Sequence, residues 1–247
     1  MSYIYSDTSD GIISKSGSSS SNPREASSGS VSNLSGANDK GVFRAASTSG
    51  RQSLTHHFTR SFFWFDTSGV TDCTSVSLEL YGFSSTIDSG ESIVVMKSDA
   101  FHGDGSTALA STDFNNIVNW DGASSMVSAS KYSAAPSINM ASWVDGAYNS
   151  IPLGSGANND INNNDYIIIC CVSYKYDYLK VAPVASGFGS GALTNNVGCN
   201  HSGTTRRPRL SITHSSALGK VNTVLFGDIG KVNTVASANI GKINTVD

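Results

Sequence analysis

Three short apolar runs limit what this chain can fold into more than any other feature: residues 58–65 (Phe-Thr-Arg-Ser-Phe-Phe-Trp-Phe), 93–96 (Ile-Val-Val-Met) and 166–172 (Tyr-Ile-Ile-Ile-Cys-Cys-Val). Each is strand-length, rich in β-branched or aromatic residues and bounded by polar turn formers, the pattern of strands buried on both faces. Residues 75–81 alternate instead, with Val76, Leu78 and Leu80 on one side and Ser77 and Glu79 on the other, which predicts a strand with one dry and one wet face. Weaker strand candidates are 3–6, 41–44, 177–181 and 209–213. Residues 138–148 have no clean period and are read as a short helix with Trp143 packed inward.

The segments between these runs argue the same way. The chain holds 45 Ser and 24 Gly, and its charged fraction is only 14%, against about 25% in an average domain. Ser, Gly, Thr and Asn are poor helix formers, so long helical bundles are excluded. Residues 14–38 are dominated by Ser and Gly and cannot bury enough apolar surface to offset their ordering entropy; they are read as a long loop. The Asn- and Asp-rich residues 154–165 are read as a turn. Short strands separated by turn chemistry, without alternating helices, predict an all-β fold: a two-sheet antiparallel β-sandwich over residues 1–214.

Charge narrows the partners. A net charge of −3, with 16 Lys and Arg scattered along the chain, lacks the basic footprint of a nucleic-acid binder. No run of about 18 apolar residues predicts a membrane span. The opening Met1-Ser2-Tyr3-Ile4-Tyr5 resembles no signal peptide, so synthesis in a cytoplasm without export by the usual route is expected. Cys73, Cys170, Cys171 and Cys199 are too few and irregular for a disulfide framework and are read as buried thiols.

Chemistry is sparse. Cys199-Asn200-His201 is the single tight Cys/His pair, with no second pair to complete a zinc site. The stretch from Asp160 to Asp165 offers oxygen ligands but lacks the Gly and Glu that a calcium loop needs, and is read as a turn. No Gly-x-Ser-x-Gly elbow or phosphate loop occurs. No catalytic residue, metal or cofactor is therefore assigned. Tyr174, Tyr176 and Tyr178 alternate; on a strand they would share one face, which makes them the candidate glycan-binding surface.

The last thirty residues contain an internal repeat. Leu218-Gly219-Lys220-Val221-Asn222-Thr223-Val224 recurs as Ile229-Gly230-Lys231-Val232-Asn233-Thr234-Val235 and as Ile240-Gly241-Lys242-Ile243-Asn244-Thr245-Val246, at a period of 11 residues. The apolar positions persist while the spacers vary, so residues 215–247 are read as an extended assembly segment. In it Val221, Val224, Val232, Val235, Ile243 and Val246 would bury apolar area against symmetry-related copies or a particle surface, with Gly219, Gly230 and Gly241 permitting close chain approach and Lys220, Asn222, Lys231, Asn233, Lys242 and Asn244 completing each unit. A homo-oligomer is expected, with a trimer suited to a stem.

Asp10-Gly11-Ile12-Ile13, then Arg60-Ser61-Phe62-Phe63-Trp64-Phe65-Asp66 followed by Ser75-Val76-Ser77-Leu78-Glu79-Leu80-Tyr81, and finally Arg207-Pro208-Arg209-Leu210-Ser211-Ile212-Thr213-His214 together resemble the jelly-roll modules called DNRLRE-type domains, over roughly residues 3–214. His214 stands where that family commonly has Tyr. Such modules occur in secreted carbohydrate-active proteins and in bacteriophage structural proteins. Tyr176-Asp177-Tyr178 with Ala182-Pro183 is similar to the phage versions, and the repeat is similar to tails of structural proteins in tailed phages. The resemblance thus implies a non-enzymatic virion protein, assembled in a host cytoplasm and placed on the head or on a tail fibre. There it would bind other virion proteins and copies of itself. The alternative it implies is a carbohydrate-binding module for a host surface glycan.

Overall fold

The apolar run at 58–65 lies inside the longest strand, β5 (Leu54–Asp66), and one sheet is built around it. On one side β5 pairs with β2 (Gly11–Gly17), which carries β3 (Ser30–Asn33) at its far edge. On the other side its first half pairs with β4 (Phe43–Ser49), itself paired with β10 (Leu193–Val197). Its second half pairs with β9 (Tyr166–Ser173), which carries β7 (Ile93–Lys97). The second sheet runs β1 (Ser2–Tyr5), β11 (Arg209–His214), β6 (Cys73–Tyr81), β8 (Tyr148–Leu153). Every pairing is antiparallel, so the chain is all-β in two antiparallel sheets, as its apolar pattern requires.

This computed structural model describes residues 1–7, 9–33, 43–49, 54–83, 85–86, 90–138, 140–183, 193–197 and 206–215. Met1–His214 forms one compact unit; of the second, Ser215–Asp247, only Ser215 is described.

Two hydrophobic cores explain why the central strands are apolar throughout. Strand side chains alternate between faces, and in β9 Ile167, Ile169 and Cys171 enter a core shared by both sheets while Ile168, Cys170 and Val172 enter a second core on the opposite face. β7 divides likewise, Ile93 and Val95 against Val94 and Met96, and so does β5, Phe63 and Phe65 against Phe58 and Phe62. The second core is roofed by residues 100–129, short on regular structure, from which Ala100, Phe101, Leu109, Phe114, Ile117, Met126 and Ala129 point inward. Each fully buried side chain of this size contributes about 1.5–3 kcal/mol. β6, by contrast, keeps the predicted alternation: Val76, Leu78 and Leu80 are buried.

Several local expectations are corrected. Residues 14–38 are not one long loop: Ser14–Gly17 belong to β2, a short helix α1 (Ser21–Arg24) follows, and β3 returns along β2. The predicted turn at 154–165 contains a helix, α2 (Ser155–Asn163). Its sequence is weakly helical, but Ala157 and Ile161, one turn apart, reach the shared core, and the Asn162 side chain both accepts from the N–H and donates to the C=O of Cys73. The predicted helix at 138–148 is only a 3₁₀ turn, Met140–Ser142, before β8, although Trp143 does pack against the core. Residues 177–181 are not a strand; Tyr174–Tyr178 form a single π-helical turn.

Candidate functional site

The outer face of the seven-stranded sheet around β5 holds a buried charge cage. Arg60 comes from the middle of β5, Arg24 from α1 and Asp177 from the π-helical turn, and all three are at most 1% exposed. Arg60 uses its whole fork: Nε and Nη2 donate to the two Asp177 carboxylate oxygens at 2.7 and 2.8 Å, Nη1 to Phe114 O and Asn115 Oδ1, and Nη2 also to Arg24 O. Arg24 donates from Nε and Nη2 to the Asp177 carbonyl at 2.9 and 2.7 Å, and from Nη2 to Ser124 O. The Arg60 guanidinium lies 4.1 Å from the Phe114 ring and 4.8 Å from that of Trp120, which also lies 5.2 Å from Arg24. Removing one partner of such a buried pair costs about 3–5 kcal/mol, so the cage pins the roof, α1 and the π-helical turn to the sheet.

Beside the cage is a small open depression of about 50 Å³, lined by Ser20, Ser21, Arg24, Phe58, Tyr176, Lys180 and Val181. Arg24 Nη1 is buried and makes no hydrogen bond; it lies 3.7 Å from Glu25 Oε1, which also pairs with Lys180 at 2.6 Å. Burial lowers the Arg24 pKa, and Asp177 opposes the shift. Nearby, Glu91 is buried with Oε1 accepting from the N–H groups of Ser92 and Lys175 and Oε2 from the Ser173 hydroxyl, at 2.9, 3.0 and 2.7 Å. Burial raises its pKa and these donors pull it partly back.

The outer face of the other sheet carries a different surface. Tyr3 and Tyr5, 46% and 40% exposed, stand beside Arg209, whose guanidinium lies 3.9 Å from both the Tyr3 and the Tyr148 ring and pairs with Glu79 at 2.6 Å. Tyr81 packs edge-on to Tyr148 at 5.4 Å, and Arg206 lies over Tyr81. Cross-strand register explains the cluster: Tyr5 is opposite Arg209, Arg209 opposite Glu79, and Tyr81 opposite Tyr148.

The predicted glycan face does not form. Tyr176 and Tyr178 are 3% and 4% exposed, within the second core, because the π-helical turn replaces the expected strand and breaks its alternation. Tyr174 is half-buried and stacks on Tyr178 at 5.9 Å. Asp160, in α2, accepts from the Tyr132 hydroxyl and from Lys97 at 2.6 and 2.7 Å. Cys73, Cys170 and Cys171 are buried. Cys199, His201 and the assembly positions from Gly219 to Val246 lie outside the described residues.

One arrangement was invisible in the sequence. Ser2 Oγ lies 2.6 Å from His214 Nε2, and His214 Nδ1 lies 2.7 Å from Asp72 Oδ1. The order matches a serine-nucleophile relay, but the His214 and Asp72 side chains are 31% and 45% exposed. Water screens the carboxylate that would have to stabilise an imidazolium, and the trio is better understood as a tie between β1, the bulge near the end of β11 and the start of β6. Among the described residues no three or more His, Cys, Asp or Glu side chains converge as a metal site, and no helix is long and apolar enough to cross a membrane.

No protein-family profile matches the chain, and no curated protein matches it either.

Proposed function

We propose that the chain is a non-enzymatic structural protein of a tailed-bacteriophage virion, displayed on the head or on a tail appendage through residues 1–214 and attached or oligomerised through residues 215–247. The observation that carries this reading is the threefold Gly-Lys-(Val/Ile)-Asn-Thr-Val repeat that begins four residues after β11 ends. A segment with apolar positions kept in register and no core of its own needs a partner surface. The finer fold reading is a jelly roll. In its support, successive strands β5, β6, β7, β8 and β9 alternate between the two sheets, and β11 lies between β1 and β6, the wrapping of a double-sheet jelly roll. The segments that resemble the DNRLRE-type module also touch one another: Asp10 Oδ1 accepts from the Trp64 N–H at 2.8 Å, and Arg209 pairs with Glu79.

The test is deletion of residues 215–247. The truncated protein is expected to remain folded by circular dichroism, to lose any oligomer that the full chain forms in light scattering, and to be missing from purified particles. Full incorporation of the truncated chain would place attachment elsewhere and end this reading.

A second reading, recognition of a host surface glycan, is favoured by one observation: exposed Tyr3 and Tyr5 beside Arg209. It moves the glycan face from Tyr174, Tyr176 and Tyr178 to the outer face of the four-stranded sheet. Replacing Tyr3 and Tyr5 together by Ala is expected to reduce retention on host cells severalfold without altering the fold; unchanged retention removes the glycan reading alone.

A further inference from the structure

We infer that the open edge of β1 pairs antiparallel with β1 of a second copy of this chain across a twofold axis, with Ile4 opposite Ile4 of the second copy and Tyr3 opposite its Tyr5. The direction of the backbone groups, the make-up of the edge and its self-complementary register carry this.

Among the described strands, β1 has β11 as its one partner. In an antiparallel ladder, residue pairs that exchange hydrogen bonds alternate with pairs that do not. The Ser6 N–H donates to Pro208 O at 2.9 Å, in the same register that sets Ile4 opposite Leu210 and Ser2 opposite Ile212. Ser2, Ile4 and Ser6 therefore turn their backbone groups to β11, and Tyr3 and Tyr5 turn theirs away from it. Asp7 keeps the same alternation: its N–H points off β11 and donates to Trp64 O in the other sheet at 3.1 Å. The N–H and C=O groups of Tyr3 and Tyr5 are thus aimed off the edge, at residues 46% and 40% exposed.

The edge carries none of the devices that keep sheet edges apart. Ser2-Tyr3-Ile4-Tyr5 has no charged residue and no Pro, and its register with β11 runs without a bulge. No like charges would therefore meet if the strand paired with a copy of itself. Ile4, partly buried, packs against the shared core from the rim of the sheet, while Tyr3 and Tyr5 lie on the outer face, Tyr3 against the Arg209 guanidinium.

Self-pairing needs a register in which outward groups meet outward groups, and a shift by one residue would set them against inward ones. Centring the pair on Ile4 is the register in which the outward groups of both tyrosines meet each other: Tyr3 faces Tyr5 of the second copy and Tyr5 faces its Tyr3, each pair exchanging its N–H and C=O bonds. The two Ile4 side chains then form the closer, non-bonded pair and cover each other beside the core, and the tyrosines make cross-strand aromatic pairs on the outer face. A twofold contact of this kind closes on itself. One short strand buries far less than the roughly 1,200 Å² of a stable complex, so the pair forms at high local concentration and not in dilute solution. The inference is independent of the reading of residues 215–247, because every residue it uses belongs to Met1–His214.

The test uses the full-length protein. In the ¹⁵N-labelled wild type, hydrogen exchange at the Tyr3 and Tyr5 amides is expected to slow as protein concentration rises, while the Ile4 amide, already turned to Leu210, keeps its rate. Ile4→Cys under mild oxidation should give a dimer linked at position 4, located by mass spectrometry; Tyr3→Cys, whose counterpart across the pair is Tyr5, should link far less. Tyr5→Pro removes an N–H that takes no part in the β1–β11 ladder, so the fold should survive; added to Ile4→Cys, it should cut linking about tenfold. The inference is overturned if exchange at Tyr3 and Tyr5 does not change with concentration, if linking at position 3 equals that at position 4, or if Tyr5→Pro leaves linking unchanged. It fails separately from the virion reading, since neither exchange nor linking at β1 uses residues 215–247.

Discussion

Arg60 and Glu91 show what a single residue can and cannot disclose. An Arg inside a run otherwise built of Phe, Trp, Thr and Ser is an anomaly visible in the sequence, and a doubly buried strand obliges it to find an acid. That the acid is Asp177, 117 positions away, has no local signature. Glu91 is similar: nothing in Gly-Glu-Ser-Ile announces that its carboxylate is buried against the π-helical turn. Its folded pKa lies above the ordinary 4.5 because burial disfavours the charged form. Its contribution to stability is thus fully present below the unfolded pKa and is lost as pH rises through the folded value. The urea midpoint of the wild type, measured from pH 4 upward, should therefore fall relative to that of Glu91→Gln over that interval. The difference between the two curves isolates Glu91 from the surface acids Asp66, Asp104 and Asp121, whose pKa values are lowered by Ser, Ala and His donors and which act at lower pH. Parallel curves would show that the carboxylate is not buried in this way.

At the scale of elements, legibility followed periodicity. β5, β6, β7 and β9 were readable because a period of two, or unbroken apolarity, has one common structural meaning. α2 was not, since two apolar residues in an Asn-rich stretch are no periodic signal, and the helix is held by contacts to β6 that lie far away in sequence. The π-helical turn was misread for the opposite reason: Tyr-Lys-Tyr-Asp-Tyr alternates perfectly, yet the Ser173 side chain caps the Tyr176 N–H and the chain coils. β1 gives a test at this scale. It covers one edge of β11, with Ile4 opposite Leu210 and packed against the shared core. Deleting residues 1–5 should cost on the order of 3 kcal/mol in urea denaturation, from lost ladder bonds and apolar burial. It should also give concentration-dependent association through the bared β11 edge, visible in light scattering. An unchanged midpoint would mean that β1 does not hold the sheet closed.

For the whole molecule, the sequence by itself determined the class: strands, antiparallel pairing, a shared apolar core and a repetitive segment after the last strand. These follow from local composition and spacing, which act wherever the chain happens to go. Only the tertiary structure decided that the sheet around β5 has a second core with an irregular roof, and that the Tyr174, Tyr176 and Tyr178 row is buried there instead of facing solvent. It alone placed Tyr3 and Tyr5 beside Arg209 from the far end of the domain, and Arg24 beside Asp177. Which face of a strand meets water depends on what else packs against it, and here those neighbours are separated by 100 or more positions. Local patterning decides what kind of element a segment becomes; long-range closure decides which of its faces is left to bind anything.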